Sequence, residues 1–208
     1  MSWVYEQKFN TLNDGDLNAQ DSWTANNFYD VQTTTKYEGA KGVAFINPDV
    51  DKDAYREITV VSAGTMYVAL RKSANGARAS FGLLQAGVGN WLFRLDFASD
   101  GNIKDTRNTT LTTYQAYTVN QWYILEVTWD EVAQPSKVNY RIYDDTAGTW
   151  GALTGWVASA GNLAMNVGTI YLWNAAGTYS WYIDTITPTN PVVNAYTQTN
   201  TETLVLVS

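Results

Sequence analysis

The sequence predicts an all-β protein in which two antiparallel sheets pack face to face. No window of the 208 residues keeps apolar side chains at the i, i+3, i+4, i+7 spacing of an amphipathic helix for three turns. Thr, Val, Tyr and Trp, which strands favour, are abundant. Short alternating segments recur at nearly regular spacing between Gly, Asn and Asp residues, which is typical of sandwiches. A closed barrel is the structural alternative.

Twelve strands are predicted, and the alternation within them indicates that one face of each is buried. In residues 91–97, Trp91 is expected on the buried face with the other aromatic and aliphatic side chains, while Arg94 and Asp96 take the opposite face. In chain order, the predicted strands are residues 4–9, 28–34, 42–45, 56–61, 64–72, 79–85, 91–97, 114–118, 122–129, 137–144, 168–173 and 179–186.

The chain changes character after Ile186. A linker with two prolines and a polar segment lead to the apolar sequence Leu204-Val205-Leu206-Val207. We therefore divide the chain into a sandwich, residues 1–187, and a C-terminal linker with a terminal strand, residues 188–208. Because an unpaired apolar strand favours aggregation, we expect this tail to dock on an edge of its own sheet or on another subunit.

Composition excludes several kinds of site. The chain has no cysteine and no histidine, which excludes disulfides, thiolate metal sites and catalytic triads with a histidine base. Thirteen basic and twenty acidic residues give a net charge of −7, and the basic residues are scattered. Nucleic acids and anionic membranes need clustered cations, so neither is an expected partner. No apolar run approaches the roughly 20 residues that cross a bilayer, and the N-terminal residues lack a signal-peptide pattern, so neither membrane insertion nor Sec export is expected.

Three segments, taken in order, resemble one superfamily. Residues 9–23 contain an opening strand, a Gly turn and Gln20-x-x-Trp23; residues 120–127 enter a strand through Trp122-Tyr123; residues 179–186 form a closing strand with Asp184 near its end. Together they resemble the concanavalin A-like lectin/glucanase superfamily, in particular laminin-G-like domains, over residues 3 to 187. The resemblance implies a jelly roll of two curved sheets with ligands often on the concave face. It also implies functions that range from lectins and glycanases to adhesion and structural modules.

The same resemblance supplies a test for catalysis. Glycan hydrolases of this superfamily use a Glu-x-Asp-x-x-Glu-like strand, and retaining chemistry needs two carboxyl groups about 5–5.5 Å apart. The nearest match starts at Glu126, but Thr128 replaces the central Asp. The strand in the catalytic place, residues 91–97, offers only Asp96 beside Arg94, which we interpret as an ion pair on a solvated face. The Gln-x-His strand of alginate-lyase-type enzymes is excluded by the lack of histidine. No catalytic residue is assigned, and the protein is not expected to be an enzyme.

Aromatic side chains are the expected binding chemistry, since sugar rings stack on exposed Trp and Tyr. The alternative for each is a place in the core. The candidates, in loops or near strand ends, are Trp150, Trp156, Trp173 and Tyr179.

A structural calcium ion is a second possibility that the resemblance implies. Laminin-G-like sandwiches often hold one, here between Asp14 and Asp16 of the first loop and Asp184 of the closing strand. The alternative is that these are solvated turn acids and a capping Asp. No other cofactor is expected.

The favoured interpretation is a non-catalytic, lectin-like structural or adhesion protein. It would be an accessory surface protein of an assembled particle, such as a capsid decoration or tail-associated protein of a phage, at the virion surface or outside the cell. Its partners would be other subunits of the assembly, glycans, or both. The alternative is a stand-alone carbohydrate-binding module of a secreted or cell-surface bacterial protein, and a glycoside hydrolase is the least favoured interpretation.

Overall fold

A computed structural model describes residues 3–46, 50–87 and 89–192 and shows a two-layered β-sandwich. A short 3₁₀ turn spans Gln20–Ser22. The strands found in the described residues are β1 (Gly15–Asp16), β2 (Trp23–Ala25), β3 (Tyr29–Gln32), β4 (Gly42–Ile46), β5 (Lys52–Val61), β6 (Ala63–Lys72), β7 (Ala79–Leu84), β8 (Trp91–Phe97), β9 (Asn102–Arg107), β10 (Thr110–Ala116), β11 (Trp122–Asp130), β12 (Lys137–Asp144), β13 (Thr149–Trp150), β14 (Val157–Ala158), β15 (Val167–Asn174) and β16 (Ser180–Thr187).

The strands form two sheets whose neighbours are antiparallel. Within the described ranges, one sheet has nine strands in the order β1-β3-β4-β16-β6-β11-β12-β13, with β14 also paired to β12. The other has seven in the order β10-β9-β8-β7-β15-β5-β2. The prediction of a two-sheet antiparallel jelly-roll sandwich is confirmed. In the part of the chain that the structure describes, no helix has the length and apolar character to cross a membrane.

The core lies between the sheets and is rich in aromatic rings. Phe97 of β8 lies 5.8 Å from Tyr123 and 4.9 Å from Trp181, both on the nine-stranded sheet. Phe93 lies 5.4 Å from Tyr140 in the same interface. All five rings are buried. Because aromatic side chains remove the largest apolar areas from water, these contacts contribute much of the free energy that holds the layers together.

A lysine is buried in this core beside the aromatic rings. The Lys72 Nζ donates to the carbonyl oxygens of Ala77 and Phe97 at 2.5 and 3.0 Å and to the Tyr117 hydroxyl at 3.2 Å. Burial lowers the pKa of Lys72 to about 8, although the negative charge of Asp96 acts in the opposite direction.

The predicted strand boundaries differ from the structure where tertiary contacts override the local pattern. Residues 4–9 do not form a strand, because Gln7 makes only an isolated bridge to Ile186 and Phe9 has a φ of 60°. The strand predicted at 114–118 ends at Ala116 and begins earlier, at Thr110. Its partner β9 was not predicted, because its charged sequence lacks hydrophobic alternation. The docking segment at 204–207 lies outside the described residues.

Candidate functional site

The outer face of the seven-stranded sheet, which points away from the other sheet, gathers aromatic and cationic side chains. Residues directly opposite each other in antiparallel strands point to the same face. The register places Tyr55 of β5 opposite Tyr171 of β15, Tyr171 opposite Gly82 of β7, and Gly82 opposite Arg94 of β8. The neighbouring row contains, in the same strand order, Asp53, Trp173, Ser80 and Asp96.

Trp91 reaches this face through an irregularity in β8. The pairing of β8 with β7 shifts between Phe93 and Trp91, so Leu92 is buried in the core and the Trp91 ring turns outward. The prediction that Trp91 shares the buried face with Phe93 is therefore wrong, since simple alternation cannot anticipate the shift. Gly82 makes room for the ring, because a Cβ at this position would collide with it.

Two indoles and two guanidinium groups alternate across this face. The guanidinium carbon of Arg94 lies 5.0 Å from the ring centroid of Trp91 and 5.8 Å from that of Trp173. The guanidinium carbon of Arg78, from the loop before β7, lies 4.5 Å from the Trp173 centroid. Each contact is a cation–π interaction, which strengthens as the pair is withdrawn from water. We call the set Tyr55, Arg78, Trp91, Arg94, Tyr171 and Trp173 the Trp/Arg face.

A buried carboxylate lies beneath the two guanidinium groups. Asp96 is 0% exposed; its Oδ1 accepts a hydrogen bond from the Ser80 hydroxyl at 2.5 Å and from Arg94 Nε at 2.8 Å. Its Oδ2 lies 3.8 Å from Arg78 Nη1. The ion pair expected between Arg94 and Asp96 is present, but the face is not solvated at Asp96, because the arginines and Ser80 cover it. Burial lowers the pKa of Arg78, and the charge of Arg94 lowers it further.

Two tyrosines extend the aromatic surface toward β5. The Tyr171 ring stands edge-on to Trp91 at 5.1 Å and stacks on Tyr55 at 6.5 Å, with an interplanar angle of 18°. The Tyr171 hydroxyl donates to Asp53 Oδ2 at 2.7 Å, and Asn26 Nδ2 donates to Asp53 Oδ1 at 2.6 Å. Burial raises the pKa of Tyr171, with Asp53 adding to the effect, so the hydroxyl remains a donor at neutral pH.

A cleft of about 260 Å³ opens beside Trp91 and Arg94. One wall is the 160–163 loop, which is fixed by the bond from the Ala160 N–H to the Leu92 carbonyl at 2.8 Å. The lining combines an aromatic ring, a guanidinium, two amides and a hydroxyl, which is the mixture that polar ring-shaped ligands require. The lining residues are Asn90, Trp91, Arg94, Thr106, Asn108, Ala160, Gly161 and Leu163.

A larger cleft of about 600 Å³ lies between the N-terminal segment and β5, but its aromatic rings are engaged elsewhere. Trp3 is buried and lies edge-on to Trp129 at 5.7 Å. The Tyr5 hydroxyl donates to Asp21 at 2.9 Å, and Arg56 stacks over the Tyr5 ring at 4.8 Å. Its lining mixes aliphatic with polar side chains and offers one aromatic ring that is not buried, Tyr5, so we favour the Trp/Arg face, which gathers four aromatic rings.

The four aromatic residues that the sequence suggested do not form one site. Trp173 belongs to the Trp/Arg face. Tyr179 is 2% exposed and its hydroxyl donates to the carbonyl of Ala175 at 2.9 Å, so it fills the core and is not available to a ligand. Trp150 lies on the nine-stranded sheet under the Arg141 guanidinium at 4.4 Å, and Trp156, near it in sequence, is 38% exposed.

Sequence reasoning missed most of the Trp/Arg face. One available signal was β15, where Tyr171 and Trp173 alternate with Ile170 and Leu172 and so must occupy the face opposite the aliphatic pair. No comparable signal marks Arg78, which lies in a loop and joins the face only in three dimensions.

The three acids suggested for calcium are engaged separately. Asp14 pairs with Lys41 Nζ at 2.9 Å, and Asp16 accepts the Asn18 N–H at 2.9 Å. Asp184 accepts the backbone N–H groups of residues 37, 38 and 185 at 2.8, 3.0 and 2.7 Å, and burial raises its pKa to about 6. No group of three acidic side chains placed to hold a metal occurs in residues 3–46, 50–87 and 89–192. As placed, these donors do not fit a calcium site, and calcium binding stays a prediction.

The carboxylates on the outer face of the seven-stranded sheet are widely spaced. Asp96 and Asp53 belong to the same cross-strand row, but β7 and β15 lie between their strands. At about 4.8 Å per strand, three strand spacings put the two residues roughly 14 Å apart. Glycoside hydrolysis by paired carboxyl groups uses separations of about 5 to 9.5 Å, so this row does not supply such a pair.

Comparison with solved structures shows the same fold. A sialidase matches with a TM-score of 0.65 and 12% identity over 88% of this chain, which corresponds to 18% of the sialidase chain. The cellulose-induced protein Cip1 matches with a TM-score of 0.59 and 13% identity, over 88% of this chain and 95% of its own. A Bacillus licheniformis β-glucanase matches with a TM-score of 0.54 and 11% identity, over 90% and 98%. No family model matches the sequence, and no curated protein matches it.

These matches define the fold of the protein. The chain has the fold of the concanavalin A-like lectins and glucanases, as the resemblance of its sequence implied. At these identities the likeness is one of fold, and the laminin-G-like subgroup stays a prediction.

Proposed function

We propose that this chain is a non-catalytic, lectin-like domain that binds a glycan on its Trp/Arg face. The observation on which this proposal depends is the juxtaposition of Trp91, Tyr171 and Tyr55 with the amide-lined cleft beside Arg94. Aromatic rings provide apolar surface for the C–H groups of a sugar ring, and neighbouring amides and guanidinium groups can pair with its hydroxyls.

The structural neighbours support a carbohydrate ligand. The β-glucanase and the laminarinase catalytic domain of Thermotoga maritima, which matches with a TM-score of 0.54 and 11% identity, are named for their action on glucans. Since one fold supports many functions, the neighbours only make a carbohydrate ligand more expected. The side chains of the Trp/Arg face provide the groups that would bind it.

The spacing of carboxylates supports binding without hydrolysis. Asp96 is held by two arginines and a serine and has no second carboxylate within the distance that glycosidases use along its row. We therefore propose that the face retains a glycan and leaves its linkages intact.

The test is the variant Trp91→Ala, measured by retention on a glycan array and by affinity electrophoresis. Because Trp91 lines the cleft and contacts Tyr171, its loss should weaken binding about tenfold, which corresponds to 1.4 kcal/mol. Trp156→Ala is the matched control, because it removes a partly exposed indole that is not part of the face. Equal binding by Trp91→Ala and the parent, or loss of binding only in Trp156→Ala, would show that the glycan does not bind at the Trp/Arg face.

The role in an assembled particle and the virion-surface or extracellular location stay predictions, as do partner subunits and the exclusion of nucleic acid. These predictions concern partner molecules and a location, which the structure of a single chain does not include. The docking tail on which the assembly interpretation depends lies beyond residue 192.

A further inference from the structure

We infer that the Trp/Arg face selects acidic glycans, with Arg78 and Arg94 holding a carboxylate or sulfate group of the sugar. This inference rests on the proposed glycan-binding function and adds the class of ligand. The argument starts from the way in which the two guanidinium groups are held.

The guanidinium groups are fixed before any ligand arrives. Arg94 lies between the indoles of Trp91 and Trp173, and Arg78 covers Trp173 from the other end of the row. Arg94 Nε is also bonded to Asp96 at 2.8 Å. A planar cation stacked on rings loses little further conformational entropy when its N–H groups bind an anion, so binding there is favoured by preorganisation.

The two cations have more hydrogen-bond donors than the protein uses. Each guanidinium has five N–H groups. Within the described residues, Arg94 makes one side-chain hydrogen bond, and Arg78 has only the 3.8 Å ion pair to Asp96. The Arg78 side chain is 39% exposed and that of Arg94 is 20% exposed; Arg78 Nε and Arg94 Nη2 are buried without a hydrogen-bond partner, so the other guanidinium nitrogens carry the accessible donors.

The acid nearest the two guanidinium groups is buried beneath them. Asp96 is shared between the two arginines, and its Oδ2 has no hydrogen-bond donor among the described residues. Asp51, exposed in the loop before β5, is a second acid whose charge acts on Arg78. Asp53, at the far end of the row, is occupied by Tyr171 and Asn26. The two arginines and the acids Asp96 and Asp51 balance in charge, but Asp96 is fully buried and Asp51 accepts the Ala176 N–H at 3.0 Å, so the exposed guanidinium edges, and not the Asp96 carboxylate, face a ligand.

The stacking also argues against a purely neutral sugar at Trp173. A sugar ring stacks on an uncovered indole face, but both guanidinium groups lie over Trp173. The surfaces that remain available to a ligand are the guanidinium edges and the paired rings of Tyr171 and Tyr55. The accessible guanidinium nitrogens can donate charge-assisted hydrogen bonds to carboxylate or sulfate oxygens, while the tyrosines match the sugar's C–H groups.

The experiment compares charged and neutral forms of the same polymer. Polygalacturonate is paired with its carboxyl-reduced form, and dextran sulfate with dextran, with binding measured by isothermal titration calorimetry. We expect the protein to bind at least one charged polymer about tenfold more tightly than its neutral partner, with affinity falling as salt rises. The polygalacturonate comparison tests for recognition of carboxylate groups, and the dextran comparison tests for recognition of sulfate groups.

Three variants make the result specific. Arg78→Gln should lower affinity for the charged polymer about tenfold. Arg94→Lys keeps the charge but loses the planar donors, and it should also weaken binding, which provides a second test should Arg78→Gln lower the melting temperature. Arg141→Gln is the matched control, because Arg141 also stacks on an indole and pairs with a carboxylate, but on the nine-stranded sheet.

The outcomes separate this inference from the proposed function. Equal affinity for charged and neutral polymers, or binding to neutral glycans alone, overturns the inference and leaves glycan binding intact. Equal losses in Arg78→Gln and Arg141→Gln would attribute the effect to overall charge and overturn it as well. Absence of binding to every glycan on a broad array would refute both the acidic-glycan inference and the proposed glycan-binding function.

Discussion

The buried lysine gives a prediction about stability that can be worked from the structure. Among the described residues, no carboxylate is bonded to Lys72; two backbone carbonyls and the Tyr117 hydroxyl accept its hydrogen bonds. Burial lowers its pKa from 10.5 to about 8, with the charge of Asp96 acting weakly in the opposite direction. This difference corresponds to a cost of about 3 kcal/mol for keeping the ammonium charged in the folded protein.

The sign follows from proton linkage. Between pH 8 and 10.5 the folded protein binds fewer protons at Lys72 than the unfolded chain does, so this group makes the protein more stable as pH rises. About 1 kcal/mol of the cost should be relieved by pH 9. The buried tyrosines, whose pKa values burial raises, act in the opposite direction, and their effect grows as pH approaches 10.

A comparison with Lys72→Met separates the two effects, because the tyrosines are common to both proteins. Urea unfolding from pH 6 to 9 should show the parent gaining about 1 kcal/mol relative to the variant. The variant also removes the hydrogen bonds that Lys72 donates to the carbonyls of Ala77 and Phe97, but that cost does not depend on pH. Lys137→Met, at an exposed lysine, is the control and should follow the parent. Parallel stability curves for the parent and Lys72→Met would refute the reasoning.

Three further predictions follow from the face and the closing strand. Gly82→Ala places a Cβ against the Trp91 ring and should displace it, so glycan retention should fall toward that of Trp91→Ala while circular dichroism still reports a folded sandwich. Asp184→Asn removes the buried negative charge and keeps one side-chain oxygen that can accept from the backbone N–H groups of residues 37 and 38. Because burial raises the Asp184 pKa to about 6, its contribution to stability should decrease from pH 4 to pH 6 in the parent and be constant in the variant; equal unfolding profiles would contradict this. Since Asp14, Asp16 and Asp184 are engaged separately, the melting temperature should not change on adding a chelator, and a fall would support the calcium hypothesis.

The layered fold was predictable because it depends on local alternation. Residues 122–129 show the alternation on which the strand prediction depends, and in β11 the side chains of Tyr123, Leu125, Val127 and Trp129 lie in the core. Such a pattern is a property of a few consecutive residues, so it can be read without knowing which strands are neighbours.

The site was less predictable because it depends on strand order and on one irregular pairing. Tyr55, Tyr171 and Arg94 come from β5, β15 and β8, which lie near each other only through the order of the seven-stranded sheet. Trp91 was misassigned because an extra residue enters its strand, and alternation has no means of showing that. The pairing of Arg94 with Asp96 was correct, but its burial depends on Arg78, which is distant in sequence.

The bridge between Gln7 and Ile186 has a topological consequence. The N–H of each residue donates to the carbonyl of the other, at 2.7 and 2.9 Å, so the beginning and the end of the sandwich run side by side. A short peptide joining them would close the backbone into a ring without altering the order of strands in either sheet. The exposed hairpin at residues 145–148, away from the Trp/Arg face, could then be opened to give a circularly permuted protein with the same core.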